Sequence, residues 1–146
     1  MAKKDNLKFD INISQDLYEW ADPRKLREAR KNAVTAAGIV WADETKELTR
    51  EEDHIDTSLY INSIGYVTNF PDTNKSGQGS RQATEADVIN ELEENPDSTV
   101  LSIGSAVEYA PHLEKRYAIM HRGLDRATPR MNQVADYQVK KTLGIL

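Results

Sequence analysis

Few side chains in this sequence have the type and spacing that catalysis or metal binding requires. His121 and Asp125 stand four residues apart and would share one face of a helix. Asp53, His54 and Asp56 cluster around an expected turn. Either group could offer carboxylate and imidazole ligands to a metal ion. With three histidines, no cysteine and no H-E-x-x-H motif in the chain, we interpret both groups as surface residues and predict no metal or cofactor.

The signatures of two other chemistries are also incomplete. Gly77 and Gly79 form a G-x-G in the polar segment 71–83, but no lysine stands where a phosphate-binding loop needs one. No G-x-S-x-G surrounds any serine, so nothing indicates nucleophilic catalysis. We predict that the protein is not an enzyme. A metal-dependent enzyme stays as an alternative, which stoichiometric metal in the purified protein would favour.

Composition indicates one soluble domain. The 146 residues are 38% hydrophobic and 29% charged, with no cysteine and no apolar run long enough for a membrane span. The amino terminus has two lysines but no apolar stretch behind them, which predicts a cytosolic product without a membrane partner. A net charge of −5 disfavours a protein whose main task is gripping nucleic acid.

A long helix is predicted after residue 22. Asp22 suits the N-cap and Pro23 the first helical position. An apolar stripe of mostly small residues follows at helical spacing, formed by Leu26, Ala29, Ala33, Ala37, Val40, Glu44 and Leu48. The amino-terminal half is basic, with Arg24, Lys25, Arg27, Arg30 and Lys31, and the carboxyl-terminal half is acidic, with Glu44, Glu47, Glu51, Glu52 and Asp53. One interpretation is that both halves are solvated faces of the helix. The other is that each half contacts opposite charge on another subunit.

Three strands are expected from alternation of apolar and polar residues. They span 8–14, 61–70 and 99–107, the last of which should end in a surface turn at Tyr109-Ala110-Pro111. The first of them belongs either to the domain's own sheet or to that of a neighbour.

Further helices are predicted on either side of the last strand. A capping box at Thr84 and Asp87 predicts a short helix that Asn95-Pro96 ends, and Thr128-Pro129 predicts the start of a last helix that Gly144 ends. We therefore predict an α+β fold, in which a long N-terminal and a C-terminal helix flank a small antiparallel sheet. Residues 1–21 form an N-terminal arm, residues 22–146 form one domain, and 70–97 form a helix-containing insertion between two strands.

Two blocks of the sequence resemble a known family. Residues 56–64, D-T-S-L-Y-I-N-S-I, are similar to the D-T-G-x-L-x-x-S-I segment of tail-completion or neck proteins of tailed double-stranded-DNA bacteriophages, with Asp56, Thr57, Ser63 and Ile64 fitting. Residues 103–114 resemble the second block, V-G-S-x-V-x-Y-A-x-x-x-E-x-G. Ser58 and Arg116 replace glycines of the pattern, and the segment after the second block matches only in position and length.

The resemblance implies a structural role in the virion neck, after assembly in the host cytoplasm. Such proteins form homo-oligomeric rings that join the DNA-filled head to the tail and complete the tail end. The ring is sixfold on the tail side and twelvefold on the head side, and it contacts head-closure or adaptor proteins and tail-terminator or tail-tube proteins. DNA passes through the lumen without specific binding.

Two other functions are left open beside this one. One alternative is that the protein forms another ring of the neck, as a head-closure or tail-terminator protein does. The other is that it is a small DNA-binding module that uses the basic start of the first helix with Arg122, Arg126 and Arg130.

The resemblance and the charge pattern together nominate a set of candidate residues. A head-to-tail ring needs two different complementary patches on each subunit. The candidates for subunit contacts or family motifs are Asp56, Thr57, Ser63, Ile64, Gly104, Tyr109, Ala110, Glu114, Glu47, Glu51 and Glu52.

Overall fold

A computed structural model describes residues 5–13, 18–52, 58–72 and 82–145, and in these residues a three-stranded antiparallel sheet packs against long helices. The elements are β1 (Asp5–Asn12), α1 (Pro23–Glu51), α2 (Leu59–Ser63), β2 (Val88–Glu94), β3 (Ser98–Ser105), α3 (Ala110–Tyr117) and α4 (Ile119–Leu143). The predicted α+β class, with a small antiparallel sheet beside long N-terminal and C-terminal helices, is confirmed.

α1 begins where the sequence predicts. Asp22 accepts a hydrogen bond on Oδ1 from the backbone N–H of Arg24 at 2.8 Å, and Pro23 is the first helical residue. The helix runs for 29 residues to Glu51. Its buried positions recur at helical spacing and include many small residues, so other elements can approach its axis closely.

β3 is the central strand, and β1 and β2 pair with it in antiparallel fashion on either side. Phe9 of β1 and Leu92 of β2 both lie opposite Leu101, so this row of the sheet is apolar on one face. The strand predicted over 8–14 is confirmed as a strand, although it spans Asp5–Asn12 and Ser14 lies outside the described residues. It pairs along its whole length with β3 of its own chain.

The strand predicted over 61–70 is wrong. Leu59–Ser63 forms the short helix α2, and every residue from 58 to 65 is buried. A strand with one face toward solvent would instead expose every second residue. Periodicity could not separate the two structures, because a short buried helical turn and a buried strand both give an uninterrupted apolar run.

The helix predicted from Thr84 is wrong beyond its first turn. The capping box does form, with the Asp87 carboxylate accepting the Thr84 N–H at 2.9 Å. The turn stops after Glu85–Asp87, and β2 then pairs with β3 along its length. Pairing with a distant strand overrides the local capping signal. In the described part of 70–97, the predicted insertion helix is therefore replaced by an edge strand.

The two predictions that rest on proline, a surface turn at Pro111 and a new helix start at Pro129, are both wrong. β3 ends at Ser105, and Tyr109-Ala110-Pro111 starts α3 in place of a surface turn. Pro111 lies in the first turn of α3, where its missing N–H costs no helical hydrogen bond. Pro129 lies inside α4, which runs unbroken from Ile119 to Leu143. Asp125, whose carbonyl loses its helical donor at Pro129, is exposed, so water can replace that bond.

Trp41 joins the sheet to both long helices. It is fully buried in α1 and donates its indole N–H to the carbonyl of Met120 in α4 at 3.1 Å. Its ring meets Phe9 of β1 edge-on, with ring centres 5.9 Å apart. The two helices lie antiparallel, since Asn32 near the start of α1 donates to Thr142 near the end of α4 at 3.0 Å.

α1 and α4 approach each other closely at Thr45 and Gly123. A Cβ atom added at Gly123 would lie 2.1 Å from Thr45 Oγ1 and 3.1 Å from Thr45 Cα. Alanine usually stabilises a helix by about 1 kcal/mol relative to glycine. We expect the opposite for Gly123→Ala, a loss of about 1–3 kcal/mol in the free energy of unfolding, because the helices must separate.

Urea denaturation measures this effect. Gln133→Ala, at an exposed position of the same helix, is the control and should leave stability nearly unchanged. A Gly123→Ala protein as stable as the wild type would contradict the close packing of the two helices.

Candidate subunit-contact site

The two blocks that resemble the phage family meet in space. The Ser63 hydroxyl donates to the Tyr60 carbonyl at 2.6 Å, and it lies 2.6 Å from the hydroxyl of Ser105. Beside this contact, the Gly65 N–H donates to the Gly104 carbonyl at 3.1 Å. The end of α2 is therefore fixed to the end of β3 by hydrogen bonds between buried groups.

In the first block, the residue just before α2 has an unusual backbone conformation. Ser58, where the family pattern has glycine, adopts a left-handed conformation with φ +74°, which normally favours glycine. Ile64 is fully buried, and Asp56 and Thr57 lie outside the described residues. Ser63, Ile64 and Gly104 are therefore positioned to hold the fold and are not available at the surface of the subunit.

The second block ends in a corner between α3 and α4. Tyr109 is 39% exposed, with its ring centre 6.5 Å from that of Tyr60, while Ala110 is fully buried. Arg116, at the second family glycine, is helical, and the left-handed residue of this corner is Ala118 with φ +50°. Of the predicted contact residues in this block, Tyr109 is the one that presents a large exposed side chain.

Glu114 caps the start of α4. Its carboxylate accepts hydrogen bonds from the Met120 N–H at 2.7 Å, from the His121 N–H at 3.3 Å and from His121 Nδ1 at 2.7 Å. The N-cap residue Ala118 has no side chain able to do this, so Glu114 reaches back from the preceding helix. A negative charge there also suits the helix dipole.

The acidic end of α1 is paired within the chain. Glu52 and Arg122 form an ion pair through both carboxylate oxygens. Glu51 accepts two hydrogen bonds from Arg126 at 2.7 and 3.2 Å, and this guanidinium holds the pKa of Glu51 below its usual value. The predicted patch at Glu51 and Glu52 thus bridges α1 and α4 inside one subunit.

The basic residues are also largely engaged. Arg30 is buried and donates to the carbonyls of Ile13 and Pro96 at 3.1 and 3.0 Å. Arg24 and Lys25 form ion pairs with nearby carboxylates. With Arg122 and Arg126 paired as well, this cationic set offers a DNA backbone fewer free charges than the sequence suggests.

A charged cleft of about 200 Å³ opens beside the carboxyl-terminal half of α1. Lys46 lines it, is only 4% exposed, and has no hydrogen-bond partner for Nζ among the residues that the structure describes. This ammonium lies 3.7 Å from the centre of the Tyr66 ring, and the Tyr66 hydroxyl donates to Asp43. Burial lowers the pKa of Lys46 to about 8 and raises the pKa of Tyr66 to about 12.

The other wall of the cleft is a closed set of ion pairs. Arg50 donates to both carboxylate oxygens of Asp72 at 2.9 Å and to Glu47 at 2.9 Å. Glu47, predicted as an interface residue, therefore belongs to the cleft. Phe70 stands at the mouth and is 88% exposed.

Sequence reasoning missed this cleft, although one signal was available. Lys46 follows the buried Ala42 by four residues, so helical spacing places it on the inward side of α1. The position of Phe70 could not be predicted, since it depends on α2, which the sequence suggested to be a strand.

No three His, Asp or Glu side chains in the described ranges gather into a group that could hold a metal ion. His121 instead binds Glu114, and Asp53, His54, Asp56, Gly77 and Gly79 lie outside those ranges. No described helix is long and apolar enough to cross a membrane.

No family model, curated protein or solved structure matches this chain in the three comparisons.

Glu114→Ala should destabilise the protein by about 1–2 kcal/mol, because two backbone N–H groups at the start of α4 lose their acceptor. Glu114→Gln keeps one side-chain oxygen and should cost less. Thermal or urea unfolding measures both, with exposed Glu108→Ala as the control. Equal stability of Glu114→Ala and the control would contradict the capping role.

Lys46 should make stability rise with pH between about 8 and 10. Its pKa is lowered to about 8 in the folded protein from its ordinary value of 10.5, so the unfolded chain binds more protons in this window. Above pH ~10 the raised pKa of Tyr66 acts in the opposite direction. Lys46→Met should abolish the rise and stabilise the protein near pH 7 by on the order of 2 kcal/mol.

Urea unfolding at about pH 7.5 and about pH 9.5 measures the slope. Lys31→Met, at an exposed position of the same helix, serves as the control and should keep the wild-type pH dependence. A Lys46→Met protein that retains this dependence would show that another group causes it.

Proposed function

We propose that this protein is a structural subunit of the neck of a tailed double-stranded-DNA phage, where a homo-oligomeric ring joins the DNA-filled head to the tail. Its partners are other copies of itself and the adjacent head-closure or adaptor and tail-terminator or tail-tube proteins. It acts in the virion neck after assembly in the host cytoplasm, and it is not an enzyme.

The observation that carries the proposal is the contact between the two family-like blocks. Ser63 in the first block and Ser105 in the second are 42 residues apart in sequence, yet their hydroxyl oxygens lie 2.6 Å apart in the fold. Two segments that resemble one family in the right order also form one structural unit. The left-handed backbone of Ser58, where the family pattern has glycine, supports the same interpretation.

The distribution of charge suits a channel through which DNA slides. Residues 85–97, which contain β2, hold six carboxylates and no lysine or arginine, and most of this segment is exposed. Placed at a lumen, such a surface repels DNA and prevents adhesion during ejection. The six carboxylates belong to Glu85, Asp87, Glu91, Glu93, Glu94 and Asp97.

A closed ring also needs two different complementary patches, one on each flank of the subunit. The pairing of Glu51 and Glu52 with α4 means that the acidic end of α1 is not free to be one of them. The contact surface therefore has to be sought among side chains that the isolated subunit leaves exposed or unsatisfied.

We expect the purified protein to form rings, alone or with neighbouring neck proteins. Multi-angle light scattering gives the number of copies, and negative-stain electron microscopy shows whether they close into a ring. A strict monomer under every condition, including mixtures with other neck components, would contradict the proposal. Salt-dependent retention on immobilised DNA would instead favour a DNA-binding module.

A further inference from the structure

Residues 66–72 form an irregular segment, here called the strap, that runs alongside the carboxyl-terminal half of α1. None of the strap residues is buried, whereas every residue from 58 to 65 is. A segment that buries little apolar surface can open locally at a lower cost in free energy than the core of the same domain. The strap can therefore leave α1 while α2 and the sheet stay in place.

Polar contacts hold the strap against α1. The Tyr66 hydroxyl donates to Asp43, and Arg50 donates to both carboxylate oxygens of Asp72 at 2.9 Å. Both contacts lie at exposed positions, so water can replace them when the strap moves away. The Asp72 N–H also donates to Asn62 Oδ1 at 2.8 Å, which ties the far end of the strap to α2.

Gly65 stands where the fixed backbone ends and the strap begins. Its N–H donates to the Gly104 carbonyl at 3.1 Å, and its own carbonyl accepts from Asn90 Nδ2 at 2.9 Å, so it is held to the sheet. Its φ of +76° lies in the left-handed region that glycine adopts without steric cost. A glycine held at this point is suited to act as the hinge of the strap.

Lys46 lies beneath the strap. It is 4% exposed, and its Nζ lies 3.7 Å from the centre of the Tyr66 ring but has no hydrogen-bond acceptor among the described residues. A buried ammonium without an acceptor is costly, and water would supply one if the strap opened. The strap therefore closes over a group that favours the open form whenever it is charged.

The surroundings of this ammonium are mixed in charge. The charged and titratable groups of the cleft are Asp43, Glu47 and Arg50 of α1 together with Tyr66 and Asp72 of the strap. Asp43 and Asp72 attract the ammonium and Arg50 repels it, but burial is the larger effect and lowers the pKa of Lys46 to about 8. An open strap would let water surround the ammonium and return this pKa toward its ordinary value of 10.5.

We propose that residues 66–72 are a proton-sensitive strap with Gly65 as its hinge, in which protonated Lys46 favours the open form and neutral Lys46 the closed form. Protonation acts in this direction because an ammonium gains more from hydration than a neutral amine does. The strap is a property of the single subunit and is independent of the proposed ring.

Hydrogen exchange of the Tyr66 and Asp72 amides tests the proposal. Their N–H groups donate to the Ile64 carbonyl and to Asn62 Oδ1, so exchange requires the strap or its hinge to open. Quench-flow exchange with NMR detection gives the opening constant once the rates are divided by the intrinsic rate at each pH. This constant should fall about tenfold between about pH 7 and about pH 9, because Lys46 loses its proton in the closed form first.

Two variants show whether Lys46 is the sensor. Lys46→Met should remove the pH dependence of the opening constant, while Lys31→Met, at an exposed position of the same helix, should keep it. Tyr66 does not interfere below about pH 9, because its pKa is raised to about 12 in the closed form and is ordinarily 10. A pH dependence that persists in Lys46→Met would overturn the proposal.

Urea separates local opening from global unfolding. Low concentrations should leave exchange of the Tyr66 and Asp72 amides nearly unchanged and accelerate exchange of the Ile103 amide in the central strand, because local opening exposes little surface. Strap amides that exchange at the rate of Ile103, with the same urea dependence, would show that the strap does not open by itself.

A matched pair of variants tests what holds the strap closed. Asp72 and Glu47 both accept hydrogen bonds from Arg50 at 2.9 Å, but Asp72 belongs to the strap and Glu47 to α1 itself. Asp72→Ala should raise the opening constant about tenfold or more, and Glu47→Ala should leave it within about twofold. Equal effects of the two variants would contradict this anchor. None of these measurements involves subunit association, so their failure would overturn the strap and leave the proposed neck function standing.

Discussion

The close packing of α1 against its neighbours is the constraint on which the rest of the structure depends. Gly38 leaves room for Leu101 of the sheet, since a Cβ there would lie 2.5 Å from that side chain, and Gly123 of α4 leaves room for Thr45. Small residues at these crossings let the sheet and α4 reach the axis of one helix. Once they are in place, Trp41 can bind the Met120 carbonyl, and the start of α4 is fixed in position.

The same close packing gives the residues that resemble the family motifs a structural role inside the fold. Ser63 and Gly104 take part in hydrogen bonds at the junction of α2 and β3, and Glu114 caps α4. These roles keep the elements in register and leave little side-chain surface for a partner. Residues of a short sequence motif can therefore determine how a chain folds without being available to a partner.

The sequence predicts those elements whose signals are local. Asp22 and Pro23 mark the start of α1, and alternation identifies β1 and β3, because a cap and a half-buried strand depend on nearby residues. Prediction from the sequence fails at α2 and β2, because contacts with distant residues determine their secondary structure. β2, for example, is a strand because it pairs with β3. The site depends on these two elements, since Phe70 follows α2 and the acidic edge is β2, so most of it could not be predicted from the sequence.

The charged side chains along the carboxyl-terminal half of α1 are mostly held in ion pairs, and Lys46 differs from them. Glutamates at the acidic end of α1 form ion pairs with arginines of α4, and Arg50 donates hydrogen bonds to Asp72 and Glu47. Lys46, in contrast, is buried with no hydrogen-bond acceptor for its ammonium among the described residues. Such a group is unfavourable in an isolated subunit. Part of that cost is offset inside the chain, because the ammonium lies 3.7 Å from the centre of the Tyr66 ring and the carboxylates of Asp43 and Asp72 attract it.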